Sequence, residues 1–230
     1  MASDVGRVRT VNEDACLARP DRGLWAVADG MGGHSAGDLA SRKVIEGVEN
    51  AGASTVLSDF IDDVSQRLQT VNRYLIEEAM RRGQQVIGST VIVFLAMHNQ
   101  GACLWAGDSR AYRFRGGGFD RLTRDHTLRE DLVAQGKYPN IRPDDFSAYN
   151  MLSRAVGAES DLALDTITCE LASGDIYLLC SDGLYREVSD GEIRDILAST
   201  DIPQACDRLV QLALHNGGHD NITVVLIEIL

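Results

Sequence analysis

Four apolar runs in this sequence each meet a carboxylate at one end. The runs are short and rich in Val, Ile, Leu, Trp and Tyr, which is typical of buried β-strands. They are GLWAVAD (23–29), GACLWAGD (101–108), GDIYLLCSD (174–182) and DNITVVLIEIL (220–230). In antiparallel sheets the end of one strand lies beside the start of its neighbour. We therefore expect four acids to meet at one edge of a sheet assembly: Asp29, Asp108, Asp182 and Asp220.

A shared, partly buried place for these acids has a chemical consequence. Neighbouring carboxylates repel one another and raise each other's pKa values unless cations compensate them. Oxygen ligands without His or Cys partners suit Mg²⁺ or Mn²⁺ better than zinc. Two such ions on shared carboxylates predict metal-assisted phosphoryl chemistry.

The segment GRVRTVNED (6–14) adds further polar groups to this prediction. Glu13 and Asp14 are two more oxygen donors. Arg7 and Arg9 alternate onto the same face of an extended segment. A guanidinium can hold two phosphate oxygens at once, so these arginines supply local positive charge for a phosphate group.

Composition limits the class of protein. The chain has 230 residues, of which 44% are hydrophobic, and this is enough for one globular domain with a substantial core. A net charge of −12 disfavours a nucleic-acid groove, because such a surface repels phosphates. Five scattered cysteines, without any C-x-x-C pair, indicate neither a disulfide framework nor a thiolate zinc site.

Targeting signals are not evident. No run of 18 apolar residues occurs, and MASDVGRVRT at the N-terminus lacks the apolar core of a signal peptide. We therefore expect a soluble, cytoplasmic protein that binds no membrane.

Helical patterns separate the strand-like runs. Residues 36–50 are expected to be helical, and Ser189 with Glu192 forms a capping-box candidate at the start of a short helix. Thr200 or Asp201, followed by Pro203, begins another helix that runs to Gly217. In 60–82, apolar residues recur every three or four positions, which predicts a helix packed on a sheet. They are Ile61, Val64, Leu68, Val71 and Leu75.

The segment 89–123 predicts an antiparallel meander with turns at 99–101 and 116–118. Hairpin-linked strands without βαβ alternation favour an α+β fold, with helices packed on antiparallel sheets. Residues 135–151 hold two of the four prolines and predict an irregular, flap-like loop that covers a site.

Each motif also has a plainer interpretation. The glycines of DGMGGH (29–34) suit an ordinary turn after a strand, and Asp108 suits an Asx turn. Glu13 or Asp14 alone suits a solvated surface acid. HNGGH (215–219) does not fit a helical zinc motif, because its glycines break the helix. We expect His126 to be a hydrogen-bonded structural residue.

Eight motifs in order resemble the metal-dependent serine/threonine protein phosphatases of the PPM (type 2C) family, in a compact bacterial form. A single motif is weak evidence, but eight in order at plausible separations are strong. They are RTVNED (9–14), VADGMGGH (27–34), GST (88–90), AGDSRAY (106–112), TRDHT (123–127), LSRAVG (152–157), CSDGL (180–184) and GGHDNITVVL (217–226).

The resemblance implies a four-layer α-β-β-α sandwich, with two central antiparallel sheets and a binuclear metal centre at one end. It implies that Asp29 bridges two Mn²⁺ or Mg²⁺ ions and that the Gly30 carbonyl binds one of them. Asp182 and Asp220 would complete the first ion's shell. The remaining implied ligands are Glu13 and Asp14 for the second ion, and Asp108 with Asp182 for a third ion found in bacterial members.

The resemblance also implies the activity. The expected reaction is hydrolysis of phosphoserine or phosphothreonine in proteins by a hydroxide between two metal ions, with Arg9 holding the phosphate and Arg7 unmatched. Met31 stands where many eukaryotic relatives have a histidine and His34 is displaced, so no general acid is assigned. The expected partners are phosphoproteins and a eukaryotic-type Ser/Thr kinase, and the chain is expected to be a monomer of one catalytic domain, 1–230.

Two other functions are compatible with the sequence. A catalytically weak module that binds phosphoproteins or a kinase is one, but such a site would be expected to lose at least one of Asp29, Asp182 and Asp220. The other is a hydrolase of small phosphate esters or nucleotides. Comparing the turnover of a phosphopeptide with that of a nucleotide distinguishes it from a protein phosphatase.

Overall fold

The structure is a computed structural model that describes residues 1–32, 36–52, 54–137 and 149–230. His34 and most of the expected flap 135–151 therefore lie outside the described residues. Eleven strands lie in the described part of the chain: β1 (Ala2–Asp4), β2 (Asp14–Arg19), β3 (Leu24–Met31), β4 (Gly88–Ser89), β5 (Val91–Met97), β6 (Gln100–Ala106), β7 (Arg110–Arg115), β8 (Gly118–Arg121), β9 (Asp165–Glu170), β10 (Ile176–Cys180) and β11 (Ile222–Glu228).

Helices flank the strands. Those bounded within the described ranges are α1 (Ala36–Glu49), α2 (Leu57–Arg82), α3 (Leu128–Ala134), α4 (Asp182–Tyr185), α5 (Asp190–Ser199) and α6 (Ile202–Asn216). None of the helices in these ranges is both long and apolar enough to cross a bilayer.

Two antiparallel sheets form the centre of the molecule. One has six strands in the order β2-β3-β5-β6-β9, with β4 paired to β3, and the other has five in the order β1-β11-β10-β7-β8. We call them the β3 sheet and the β10 sheet. Their inner faces are joined by an apolar layer that includes Ile92, Phe94, Tyr177 and Val225.

Two more apolar layers lie on the outer faces of the sheets. Residues of α1 and α2, such as Val44 and Leu68, pack on the β3 sheet. Residues of α5 and α6, such as Ile193 and Leu209, pack on the β10 sheet. Three buried layers between helices, sheet, sheet and helices make the expected four-layer α-β-β-α sandwich, and this prediction is confirmed.

The helix predictions agree with the structure. α1 matches 36–50, and in α2 the residues Val64, Leu68 and Leu75 are fully buried. Ser189 and Glu192 form the capping box of α5. Of the two candidates for the start of α6, Asp201 is the N-cap, and its side chain accepts a hydrogen bond from the Gln204 backbone N–H.

The meander prediction for 89–123 is wrong at its middle. β5 pairs with β6 and β7 pairs with β8, but β6 belongs to the β3 sheet while β7 belongs to the β10 sheet. The chain changes sheet at Gly107, whose φ is +111°. Central strands of both sheets are buried on both faces because helices cover one side and the other sheet covers the opposite side, so the apolar pattern does not tell which sheet such a strand joins.

The two hairpin turns are shorter than predicted. In the first, Met97 pairs with Gln100, so the turn consists of His98 and Asn99, and His98 has a φ of +54°. In the second, Arg115 pairs with Gly118 and the turn consists of Gly116 and Gly117, both at positive φ. A positive φ at both turn residues suits the two-residue hairpin, and glycine adopts it without strain.

Candidate metal centre

A pocket of about 370 Å³ lies where the ends of several strands from both sheets meet. Seven of the eight predicted site residues line it: Arg9, Glu13, Asp29, Gly30, Asp108, Asp182 and Asp220. The expected meeting of the four strand-end acids is thus observed. Other lining residues are Met31, Gly32, Thr90, Asn150, Leu152, Arg186 and Asn221.

Asp29 is held on both sides of its backbone. Its N–H donates to the hydroxyl of Thr90 at 3.0 Å, and the Thr90 N–H donates to the Asp29 carbonyl at 2.8 Å. β3 does not end at Asp29 as predicted but continues to Met31, because Gly30 and Met31 pair with Ser89 and Gly88 of β4. Asp29 therefore projects from a paired strand, which fixes its direction.

Gly30 is required for close packing beside Asp29. A Cβ on Gly30 would collide with the Gly37 carbonyl oxygen and lie 2.8 Å from the Glu13 carbonyl oxygen. A Cβ on Gly37 would lie 2.5 Å from Oε1 of Glu13. The absence of a side chain at Gly30 and Gly37 therefore lets Glu13 and the start of α1 pack beside Asp29.

Asn221 fixes the N-terminal segment to the pocket. Its Nδ2 donates to the carbonyls of Val5 and Val11 at 2.9 and 3.0 Å, and its Oδ1 accepts from the Glu13 N–H at 2.8 Å. Asp220, the residue before it, forms a 2.8 Å ion pair with Arg9. Glu13 is thus positioned by the Asn221 amide and Arg9 by the carboxylate of the preceding residue, Asp220.

Arg7 does not share the position of Arg9. Its backbone N–H donates to the Gly218 carbonyl at 2.7 Å, and the residue is absent from the described pocket lining. The segment is not a regular extended strand there, because Gly6 takes a φ of +78°. The prediction that both arginines face one site is therefore wrong: of these two, Arg9 is in the described lining and Arg7 is not.

Asp108 and Asp182 share a cation. The Arg186 guanidinium Nη2 lies 2.8 Å from Oδ2 of Asp182 and 3.5 Å from Oδ2 of Asp108. The Tyr185 hydroxyl donates to the Asp108 carbonyl at 3.0 Å. Asp108 lies two residues after the end of β6. The bond from Tyr185 connects its backbone to α4.

Asp14 lies behind the pocket. It pairs with Asp29 across β2 and β3, and its Oδ2 accepts from the Ser181 hydroxyl at 2.7 Å. Its Oδ1 is buried and has no hydrogen-bond partner among the described residues, and the same holds for Oδ1 of Asp182. Such an atom is costly unless a cation or a proton satisfies it.

The acids of the site titrate abnormally because they are buried together. Burial raises the pKa of Asp29 well above its usual range, and repulsion from Asp14 and Asp182 adds to this. Burial likewise raises the pKa of Asp182 to about 7 and that of Asp14 to about 6. The pKa of Asp108 is also raised, mainly by burial, while the charge of Arg186 opposes the shift.

The donor set fits a hard divalent cation. The predicted side-chain ligands are all carboxylates. Asp182 in the pocket and Asp14 beside it each have a buried oxygen without a partner among the described residues, and added positive charge would relieve the repulsion between the acids. Within the described ranges, no three of these side chains are already converged as ion ligands. Instead, Arg9 and Arg186 hold three of the carboxylates.

Sequence reasoning missed four residues of the site: Thr90, Ser181, Arg186 and Asn221. Three of them stand inside quoted motifs, GST, CSDGL and GGHDNITVVL, but no role was assigned to them. Arg186 lies four residues after Asp182, the spacing at which a helix brings an acid and a base together. That spacing was the available signal for Arg186.

His126 is structural, as predicted. Its Nδ1 accepts the Gly107 N–H at 3.2 Å and its ring stacks on Trp105 with centroids 5.9 Å apart. The HNGGH pair forms no zinc motif, since α6 ends before Gly217 and His219 pairs with Glu187 at 2.7 Å.

Known proteins share this fold and much of this sequence. The Protein phosphatase 2C family matches residues 6–210. PstP of Mycobacterium tuberculosis, a serine/threonine protein phosphatase, is 34% identical over 99% of the chain, which spans 44% of the length of PstP. PhpP of Streptococcus pneumoniae, a protein phosphatase, is 34% identical over 99% of the chain and 96% of its own length.

Solved structures agree closely with the fold. PppA of Pseudomonas aeruginosa superimposes with a TM-score of 0.91, 41% identity and coverage of 99% of this chain and 96% of that chain. The catalytic domain of PstP in complex with two manganese ions superimposes with a TM-score of 0.84, 33% identity and coverage of 99% and 95%.

The four-layer sandwich and the acid-lined pocket at the strand ends define a metal-dependent phosphatase fold. The family match over most of the chain makes the assignment specific: the chain belongs to the protein phosphatase 2C family.

Proposed function

We propose that this protein hydrolyses phosphoserine and phosphothreonine in proteins, with Mn²⁺ or Mg²⁺ as cofactor. The observation that carries the proposal is Asp29, which burial and four neighbouring acids drive toward protonation at the floor of an open pocket. Divalent cations bound in place of protons would neutralise the negative charge of these acids. When bound, such cations supply charge neutralisation and an activated water for attack on phosphorus.

The residues of this chain divide the work. Asp29, Asp182, Asp220 and the Gly30 carbonyl would hold the ions of the two-ion centre. Glu13 lines the same pocket. Asp14, behind Asp29, adds negative charge to the site without lining the pocket. We assign metal positions to these residues from their common setting and from the family resemblance.

Arg9 is the proposed phosphate-binding residue. Its side chain is 53% exposed at the rim, and its contact with Asp220 holds its pKa above the ordinary value, so it is fully charged at neutral pH. A guanidinium held by one exposed carboxylate can turn toward an incoming phosphate and orient it for in-line attack. Four residues after Arg9, the Glu13 backbone N–H is bound by Asn221, which directly precedes β11 of the β10 sheet.

The surroundings of the site belong to the proposal as well. We propose one catalytic domain over 1–230. We also propose that the loop 135–151 tunes substrate choice, since Asn150, near its C-terminal end, lines the pocket. Replacing that loop should change peptide preference more than turnover of an aryl phosphate. The third ion that the resemblance assigns to Asp108 and Asp182 would have to share its place with Arg186.

The cellular setting is also proposed. Phosphoserine and phosphothreonine arise by kinase action, so the expected counterpart is a eukaryotic-type Ser/Thr kinase. We propose that the phosphatase acts in the cytoplasm, as a monomer.

The rival functions predict different substrates. A hydrolase of small phosphate esters or nucleotides would turn over nucleotides at least as well as phosphopeptides. A regulatory module would bind phosphopeptides without releasing phosphate. The complete set of acids in the pocket favours catalysis over binding alone.

The test is phosphate release from a phosphothreonine peptide, an aryl phosphate and a nucleotide, each with Mn²⁺, with Mg²⁺ and with EDTA. We expect release from the peptide with either ion, loss of release in EDTA and recovery on adding metal back. Undiminished release under chelation overturns the mechanism, and preference for the nucleotide supports the rival hydrolase.

A further inference from the structure

Arg186 lies between two acids of the pocket where the family resemblance places a third metal ion. Its guanidinium is 2.8 Å from Asp182 and 3.5 Å from Asp108. The side chains of these acids are only 10% and 8% exposed. A cation at this point does what a third ion would do, because it compensates both buried carboxylates at once.

The two oxygens of Asp182 are used differently. Oδ2 accepts from Arg186, while Oδ1 is buried and has no partner in the described ranges of the chain. Asp182 can therefore give Oδ1 to an ion of the binuclear centre and keep its ion pair with Arg186. Nothing in this division requires the arginine to leave.

The backbone of Arg186 is fixed by its surroundings, while its side chain is 45% exposed. Its backbone N–H donates to the Asp182 carbonyl at 3.0 Å, at the end of α4. The neighbouring Tyr185 is bound to the Asp108 carbonyl, and the Arg110 guanidinium lies 3.5 Å from the centre of the Tyr185 ring. Arg110 in turn holds Asp125 with both arms of its guanidinium.

Arg9 shows the contrast. Among the described residues it has one acid within ion-pair distance, Asp220, whose side chain is 28% exposed. An incoming phosphate or ion can displace it at small cost, because water can solvate both released groups. Release of Arg186 would instead leave two carboxylates that are almost fully buried without their cation.

We propose that the Arg186 guanidinium permanently replaces the third metal ion, so that this phosphatase binds two divalent ions and Asp108 serves as an ion-pair partner instead of a metal ligand. This inference rests on the proposed two-ion centre. A divalent ion added beside Arg186 would face a positive charge at close range, and this charge already offsets part of the repulsion between the two acids.

The test counts bound Mn²⁺ on the folded protein by equilibrium dialysis and by isothermal titration, with circular dichroism to confirm folding. We expect two ions for the wild type and three for Arg186→Met, which keeps a long side chain and removes the charge. Arg194→Met is the matched control, because Arg194 is 49% exposed against 45% for Arg186 and pairs only with Asp195, and it should bind two.

Asp108→Asn gives a second measurement that does not depend on the folding of Arg186→Met. In the wild-type background it should still bind two ions, and combined with Arg186→Met it should remove the third. Three ions on the wild type, or the loss of an ion in Asp108→Asn alone, overturns the inference while leaving the proposed phosphatase function intact. Absence of any Mn²⁺ binding overturns both.

Discussion

Strand β10 has a buried aspartate beside each end, and the two are treated in opposite ways. Asp175, before the strand, is 1% exposed, and both its oxygens accept from the guanidinium of Arg115, which holds its pKa below the usual range. Asp182, after the strand, is 7% exposed, keeps one oxygen without a partner and has its pKa raised to about 7 by burial.

The difference teaches where this fold places its unsatisfied charge. At the Asp175 end, Arg115 of β7 neutralises the negative charge through an ion pair, so this aspartate has a structural role. At the Asp182 end, four other acids gather and two arginines do not suffice for them. A buried acid left uncompensated is expensive, so the Asp182 end marks the functional site and the Asp175 end does not.

The largest effect expected from this contrast is on turnover. Asp182→Asn should lower kcat with Mn²⁺ by about 10³-fold or more, corresponding to roughly 4 kcal/mol of transition-state stabilisation. Asp175→Asn should keep the kcat of the wild type per folded molecule. Steady-state hydrolysis of an aryl phosphate measures both, and equal loss in the two variants would erase the distinction between the two ends. Asp29→Asn should behave as Asp182→Asn does.

Stability of the metal-free protein should move in opposite directions in the same two variants. Asp175→Asn removes the charge that holds Arg115 and should destabilise the fold by about 2 kcal/mol. Asp182→Asn removes a repelled carboxylate and should stabilise it at pH 8 by about 1–2 kcal/mol. Urea unfolding in EDTA gives both values. Destabilisation of similar size in both would indicate that Asp182 is as well paired as Asp175.

The two ends should also respond to pH in different windows. Raised pKa values, about 7 for Asp182 and about 6 for Asp14, mean that the folded state binds more protons than the unfolded state above about pH 4. Metal-free stability should therefore fall as pH rises from about 4 to about 7. The lowered pKa of Asp175 acts below that window, where its stabilisation is lost as pH falls.

Melting temperatures from pH 4 to 8 measure this dependence. We expect a fall of about 5 °C in EDTA across the window, and a much smaller fall with saturating Mn²⁺, because the cation takes over from the protons. A metal-free melting temperature that rises steadily to pH 8 would contradict uncompensated acids at the pocket.

The smallest expected effect is on KM, and it distinguishes Arg9 at the Asp182 end of β10 from Arg115 at the Asp175 end. Arg9→Met should raise KM for a phosphopeptide by about 10-fold, or roughly 1.4 kcal/mol, because its guanidinium is exposed and available to phosphate. Arg115→Met should leave KM unchanged, since Arg115 is engaged by Asp175 and by the Glu170 carbonyl. A KM unaffected by Arg9→Met would remove Arg9 from phosphate binding.

Sequence patterns predicted the site through its acids and not through its hydrogen bonds. Asp29, Asp108, Asp182 and Asp220 could be recognised because each interrupts an apolar run, a signal that lies within a few residues. Thr90 and Asn221 could not, because their roles depend on partners 61 and 208 residues away, Asp29 and Glu13. Asp14 looked like the other donors, yet it is not among the described residues that line the pocket, and its Oδ2 is bound to the Ser181 hydroxyl, 167 residues away.

The sequence by itself determined the local elements: the apolar stripe of α2, the caps of α5 and α6, and the acids at the strand ends. Only the tertiary structure decided that β6 and β7 join different sheets, and that Arg186 stands between Asp108 and Asp182. The physical reason is range. Helix periodicity and capping are satisfied by neighbours along the chain, whereas the choice of sheet and the compensation of a buried charge depend on which distant segments pack against each other.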